Sequence, residues 1–349
     1  MLESQVNEIA IHFGFNAASI ESLTEGLIHK TYKVTSADGH AIILQQINTS
    51  VFTDPKKIIE NYQLLYQHLR ANNGIKIPEL IKTAAGYELY FQGRFSWRAF
   101  EYIPDSYTEN LRSPEKIFSA AQCYGAFVQN LFGIDITKLT PTIPGFHDLN
   151  SRYKQFQQAM QQCKPERMTR SLELISKIEE RKYLVDFYNN LTHNPTYRIR
   201  PMHHDCKLSN ILFDTHAKKA ICPIDLDTTM PGYFFSDLGD MVRTMISESG
   251  EDSPSEKIII RKDLYDAILN GYQSGIGDAF TQTEFNHIHH AGLIMIYMQA
   301  MRFLTDYFSN DSYYKISYPE QNFARAANQL ALLEKAEAFL ESDYEYKIR

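Results

Sequence analysis

Met202-His-His-Asp-Cys-Lys-Leu-Ser-Asn-Ile-Leu-Phe-Asp214 is the stretch that decides the reading of this chain. It contains His203-x-Asp205-x4-Asn210, and an apolar run, Ile211 to Phe213, follows at once. A second apolar run, Ala220 to Ile224, leads into Asp225 and Asp227. The two runs read as short paired strands. Asp205 and Asn210 then mark the two ends of a tight loop entering the hairpin, and the acidic pair leaves it. Phosphoryl transfer needs little covalent chemistry from a protein. It needs an acceptor-orienting carboxylate, oxygen ligands for Mg²⁺ and charge compensation. Asp205 is of the right type to accept a hydrogen bond from an attacking hydroxyl and take its proton late. Asn210 and Asp225 offer the hard oxygen donors that Mg²⁺ prefers. Asp and Asn are also ordinary turn formers, and His203 also reads as a hydrogen-bonded loop histidine. The two apolar runs and the acidic pair after them are what set this segment apart.

Around this segment the chain changes character near residue 103. The first hundred residues read as a small α/β unit. A helix covers about Leu2 to Phe13 and stops at Gly14. Strand-like runs Thr31 to Ser36 and Ala41 to Ile47 flank Ala37-Asp38-Gly39, a hairpin signal. Asp54-Pro55 reads as an N-cap followed by proline in the first turn. Ile58, Ile59, Tyr62, Leu65 and Leu69 then mark a helical face. Further strands are expected over Glu79 to Lys82, Tyr87 to Gln92 and Trp97 to Ile103. From about Ser113 helices dominate: Pro114 to Phe132, Ser171 to Leu191, Glu256 to Tyr272, Glu284 to Phe308 and Glu320 to Phe339. The expected fold is α+β and bilobal. A small β-rich N-lobe (1–103) joins a larger, mainly helical C-lobe (104–349) through a hinge at about 101–106. The cleft between such lobes is where ligands usually sit.

With 349 residues, 44% apolar and 22% charged, the composition is that of a globular chain. The net charge of −7 and the lack of a strongly basic segment argue against nucleic acid or a polybasic membrane contact. The longest mostly apolar stretch, Ala291 to Met301, is too short to span a bilayer. No secretory signal is read at the N-terminus. Cys123, Cys163, Cys206 and Cys222 form no C-x-x-C pair and fit a reducing cytoplasm as free thiols.

The hairpin segment resembles the catalytic and metal loops of the aminoglycoside phosphotransferase and choline kinase superfamily. The likeness is closer to its N-acetylhexosamine 1-kinase branch. Gly26 to Val34, Ile43 to Asn48, Trp97-Arg98, Ile143 to Asp148, Ile224 to Gly232, Arg302 to Asp306 and Asn322 to Arg325 carry that resemblance. It implies a protein-kinase-like fold and an ATP- and Mg²⁺-dependent small-molecule kinase. The acceptor would be an N-acetylhexosamine, GlcNAc or GalNAc, phosphorylated at the anomeric C1 hydroxyl. It implies Asp205 as base, Asn210 and Asp225 as metal ligands, and Asp227 as a second ligand or substrate contact. Gly26, Lys30 and Thr31 would form the turn over the phosphates, with Gln45 near them. Glu101 to Ile103 would be the hinge that reads adenine. His203, Phe146, His147, Asp148, Arg302 and Asp306 would face the sugar.

Two departures stand out. The usual β3 lysine is replaced by Gln45 or Gln46, which leaves phosphate neutralisation to Lys30, Lys33 or a second Mg²⁺. Gly26-Leu-Ile-His-Lys also has one glycine where a G-x-G-x-x-G cradle has three. Other acceptors on the same fold (another sugar, choline, ethanolamine, homoserine, an aminoglycoside) and a nucleotide-binding pseudokinase are the competing readings. His287-Ile-His289-His290 lacks metal-ligand spacing and reads as helix surface or buried, hydrogen-bonded histidine. Trp97 reads as core or a stacking platform. Arg302 and Asp306, four apart, read as an intrahelical pair or as a fork for the sugar.

Overall fold

The computed structural model describes residues 3–23 and 28–348. The chain forms two compact units. The first comprises Met1–Glu109, Asn130–Pro144 and Ser209–Met230, and the second the remainder.

In the first unit, α1 (Glu3–His12) buries Val6, Ile9 and Ala10. An antiparallel sheet follows, built from β1 (Ala17–Leu23), β2 (Lys30–Ser36) and β3 (Ala41–Ile47). Helix α2 (Pro55–Ala71) starts where Asp54 accepts a hydrogen bond from the Lys56 N–H, with proline in the first turn. It buries Ile58, Ile59, Tyr62, Leu65 and Leu69. Strands β4 (Leu80–Ile81), β5 (Tyr90–Gln92) and β6 (Phe95–Glu101) complete the sheet in the order β1-β2-β3-β6-β4, with β5 on β6. Val34, Leu44, Ala99 and the fully buried Trp97 meet α1 in the core, so the lone tryptophan is core. Strand β7 (Ser106–Thr108) belongs to a second sheet, described below.

The second unit takes α3 (Pro114–Asn130), α4 (Leu149–Gln162), α5 (Pro165–Arg170), α6 (Leu172–Glu180), α7 (Tyr183–Thr192) and β8 (Arg200–Met202). The hairpin β9 (Ile211–Asp214) and β10 (Ala220–Pro223) returns to the first unit, because β9 pairs antiparallel with β7. After β11 (Met230–Gly232), the second unit resumes with α8 (Phe235–Met245), α9 (Lys262–Ile276), α10 (Gln282–Asn286), α11 (His290–Phe308) and α12 (Gln321–Tyr344). Helix α11 is buried almost all round, as its continuous apolar sequence requires. It crosses α8 at very short range. A Cβ on Gly239 would lie 2.2 Å from the Ala291 carbonyl oxygen, and one on Gly292 would lie 2.5 Å from Val242 Cγ1.

Several boundaries differ from the sequence expectation. Glu284 to Phe308 is two helices, not one: Thr281 and Glu284 form a capping box that starts the short α10, and α11 begins only at His290. Ser171 to Leu191 is likewise split between α6 and α7 at Arg181 and Lys182. Strand β1 and helix α4 were not expected. No helix among the described residues is long and apolar enough to cross a membrane.

Candidate active site

Asp205 lies in the second unit, on a loop fastened through its backbone. The Asp237 carboxylate, from the first turn of α8, accepts the N–H groups of His203 (3.0 Å) and His204 (2.8 Å). The Tyr124 hydroxyl donates to the Lys207 carbonyl at 2.8 Å. The Thr244 hydroxyl donates to the Cys206 carbonyl at 3.3 Å. His204 adopts a left-handed backbone, φ 65°, which turns the chain sharply just before Asp205. Lys207 Nζ is 2.7 Å from Asp205 Oδ1. Burial alone would lower the Lys207 ammonium pKa, but the Asp205 charge and hydrogen bond outweigh it and raise it. The base candidate therefore carries a fixed cation beside it.

His203 is fully buried, with its ring edge-on to Tyr124 and Phe127. Its Nδ1 accepts the Asp205 N–H at 3.2 Å. That puts it beneath the loop, supporting Asp205, rather than on a surface that a sugar could touch.

The hairpin expected to hold the metal lies in the first unit. Asn210 immediately precedes β9, and its carbonyl accepts the Ile224 N–H at 2.9 Å, so Asn210 and Asp225 flank one rung of the hairpin. Asp225 is half-buried and left-handed, φ 60°. Donor atoms of His29, Asp225 and Asp227 lie within 4.8 Å of one another. Asp227, however, is committed elsewhere. Arg98 Nη1 and Nη2 grip its two oxygens at 2.6 and 2.8 Å, and His29 Nε2 donates to it at 2.8 Å. The other His29 nitrogen, Nδ1, accepts the Asn48 N–H at 3.1 Å, which fixes the ring as the Nε2–H tautomer. Burial would raise the Asp227 carboxyl pKa, but the Arg98 guanidinium and the His29 hydrogen bond hold it well below the usual range. Asn210 and Asp225 carry hard oxygen donors of the kind that Mg²⁺ prefers.

Among the expected nucleotide contacts, Gly26 lies outside the described residues. Lys30 is exposed at the start of β2 and pairs with Gln46 across the sheet. Thr31 pairs with Gln45, and Gln45 with Arg98. The Glu101 N–H donates to the Glu79 carbonyl at 2.9 Å, and the Ile103 carbonyl accepts the Ser106 hydroxyl at 2.6 Å. Lys33 Nζ sits 4.0 Å above the Tyr102 ring, so it is engaged at the hinge segment.

Of the expected sugar contacts, the structure gathers three. The Arg302 guanidinium lies 4.9 Å over the Phe146 ring, and Phe146 stacks on His147 at 4.5 Å. His147 is buried against His204, and desolvation holds its pKa well below the usual imidazole value. Arg302 Nη1 donates to Gln299 Oε1 at 2.9 Å, and Gln299 Nε2 donates to the Tyr314 hydroxyl at 3.3 Å. Asp148 and Asp306 are turned to structural work. Asp148 caps α4 by accepting from the Ser151 N–H at 3.1 Å. Asp306 accepts the N–H groups of Tyr313 (2.8 Å) and Tyr314 (2.9 Å) and the Asn322 amide (2.9 Å). Of the two readings of Arg302 and Asp306, the intrahelical pair is replaced by these contacts.

Sequence reasoning passed over Lys207, His29 and Asp237, and named Arg98 only as part of the Trp97-Arg98 stretch. Lys207 stood inside the quoted stretch, two residues after the base. Arg98 and His29 reach Asp227, and Asp237 reaches the His203 and His204 backbone, only in the folded chain.

The family model described as "Phosphotransferase enzyme family" matches residues 19–275, well over half of the chain. The chain belongs to this family. Solved structures with the same fold include an aminoglycoside phosphotransferase from Alicyclobacillus acidocaldarius (14% identity, 93% of this chain and 91% of that one, TM-score 0.62). A choline/ethanolamine kinase family protein from Mesorhizobium loti matches at 14% identity over 98% and 95%, TM-score 0.62. A spectinomycin phosphotransferase, solved with ADP and spectinomycin, matches at 14% identity over 96% and 98%, TM-score 0.60.

Proposed function

We propose that this chain transfers the γ-phosphoryl group of ATP to the anomeric hydroxyl of an N-acetylhexosamine. The observation that carries this reading is the Asp205 loop, whose backbone is fastened by Asp237, Tyr124 and Thr244 and whose carboxylate is paired with Lys207. A carboxylate held this firmly suits a reaction that gains its rate from positioning. Asp205 orients the acceptor hydroxyl, and the hydroxyl oxygen attacks phosphorus in line. The bond to the ADP oxygen breaks, and the acceptor proton passes to Asp205. Asn210 and Asp225 would hold Mg²⁺, which when bound neutralises charge on the phosphates. Lys207 supplies a cation at the transferring end, which the exchange of lysine for glutamine removes from β3. Asp227 is left to Arg98 and takes no part in this metal set.

The acceptor assignment rests on the resemblance set out above and on the Phe146–Arg302–Gln299–Tyr314 group. An aromatic face and a guanidinium suit a neutral sugar ring and an amide carbonyl. A cationic acceptor such as choline is disfavoured. Arg152 stands near Arg302, and burial together with the Arg302 charge lowers its pKa to about 10. A second positive neighbour is already costly in this group.

ADP release with Mg·ATP across free sugars and amino alcohols tests the proposal, with Asp205→Asn as control. Turnover on GlcNAc or GalNAc, lost when the anomeric oxygen is methylated, is the expected result. Turnover confined to choline, ethanolamine or another sugar would overturn the acceptor assignment. ATP binding without turnover on any acceptor would overturn the kinase reading itself.

A further inference from the structure

Gln45 occupies the third strand of the sheet, where protein kinases carry the lysine that contacts the α- and β-phosphates. It is not a lysine position left idle. Thr31 on β2, Gln45 on β3 and Arg98 on β6 are direct cross-strand partners, so the three side chains stand in a row on one face of the sheet. Arg98 has only donors, so the oxygen of the Gln45 amide must face it: Arg98 Nε donates to Gln45 Oε1 at 3.0 Å. The amide nitrogen is thereby turned to the other side, where it donates to Thr31 Oγ1 at 3.1 Å. The fork of Arg98 holds both oxygens of Asp227, two residues past Asp225. Arg98 itself is 1% exposed, and its cation finds its counter-charge in Asp227.

We infer that Thr31–Gln45–Arg98–Asp227 is a relay that locks the nucleotide turn to the metal loop. It performs by hydrogen bonding the positioning that other kinases obtain from a charged lysine. The Thr31 hydroxyl accepts from Gln45, so its own hydrogen points away from the relay and is available to a phosphate oxygen. Thr31 is then a phosphate contact, and Gln45 and Arg98 are positioning residues. The inference rests on the reading of this chain as an ATP-binding phosphotransferase. It carries a consequence opposite to intuition. Restoring the lysine with Gln45→Lys removes the acceptor for Arg98 Nε and sets a second cation beside a buried guanidinium whose one carboxylate is already used.

The test is calorimetric binding of ADP to the full chain, with and without Mg²⁺ and without acceptor, together with melting of the unliganded protein. The variants are Thr31→Val, Gln45→Leu, their double, and Gln45→Lys. Thr31→Val and Gln45→Leu should each weaken Mg·ADP binding by about tenfold, the scale of one hydrogen bond to a charged group. The double variant should be no weaker than the worse single. Gln45→Lys should weaken nucleotide binding and lower the melting temperature. Tighter binding by Gln45→Lys, or effects of Thr31 and Gln45 that simply add, would overturn the relay. Should the Gln45 variants fail to fold, Thr31→Val still decides: unchanged Mg·ADP affinity sinks the inference. Wild-type protein that binds no nucleotide would instead sink the phosphotransferase reading, and the relay with it.

Discussion

At the scale of single residues, the Asp205–Lys207 pair makes the sharpest predictions. Asp205→Asn should abolish transfer while Mg·ADP affinity stays within a few-fold, because the change removes a proton acceptor rather than a nucleotide contact. Transfer surviving within about tenfold would show that Asp205 is not the base. Lys207→Met should lower kcat by about 100- to 1,000-fold, the range seen when one charge-stabilising group is lost. Its melting temperature should barely move, since Lys207 is half-exposed. Asp205, Asn210 and Asp225 could be singled out from spacing because one short stretch of sequence carries them all. The Arg98–Asp227 ion pair could not, since its members are 129 positions apart and each looks ordinary alone. Asp306 misled for a related reason. Its spacing from Arg302 promises a pair on one helix, but the unpaired N–H groups of Tyr313 and Tyr314, brought over by the loop after α11, compete for the carboxylate more effectively.

At the scale of elements, the close crossing of α8 and α11 fixes where Asp237 stands, and so where the Asp205 loop is held. Gly239→Ala would press a methyl group onto the Ala291 carbonyl, a backbone atom that cannot swing aside. Overpacking of this kind costs about 1–3 kcal/mol. We expect a lower denaturation midpoint and, in the protein that remains folded, a loss in kcat larger than any change in nucleotide affinity. An unchanged midpoint would mean that the helices part without cost. Elements with strong local signals were legible: Asp54-Pro55 announces α2, and the apolar runs announce β9 and β10. Strand β1 was not, because only a few of its residues are even partly buried, so Ala17 to Leu23 shows no clear alternation. The break between α10 and α11 was hidden by unbroken helical periodicity. The capping box of Thr281 and Glu284 starts α10, which ends at Asn286, and α11 starts afresh at His290.

For the molecule as a whole, acid sensitivity is written into the end of the chain. His289 bonds to the Tyr265 hydroxyl at 2.7 Å and His290 to the Tyr346 hydroxyl at 2.6 Å. Burial lowers both imidazoles from 6.5 to about 4. They stay neutral when folded while the unfolded chain takes up protons, so stability is full above about pH 6.5 and falls as the pH drops toward 4. The melting temperature should decline across that window, and His289→Gln with His290→Gln should flatten the decline. A wild-type melting curve that is level there would refute the assignment. The lone tryptophan has a different kind of consequence. Trp97 is fully buried in the first unit, one residue from Arg98. Its selectively excited fluorescence is therefore an optical label that evolution has already installed in the first unit alone. Far-ultraviolet dichroism is dominated by the helices of the other unit. Recording both during one denaturant titration gives each unit its own unfolding trace, without attaching any dye.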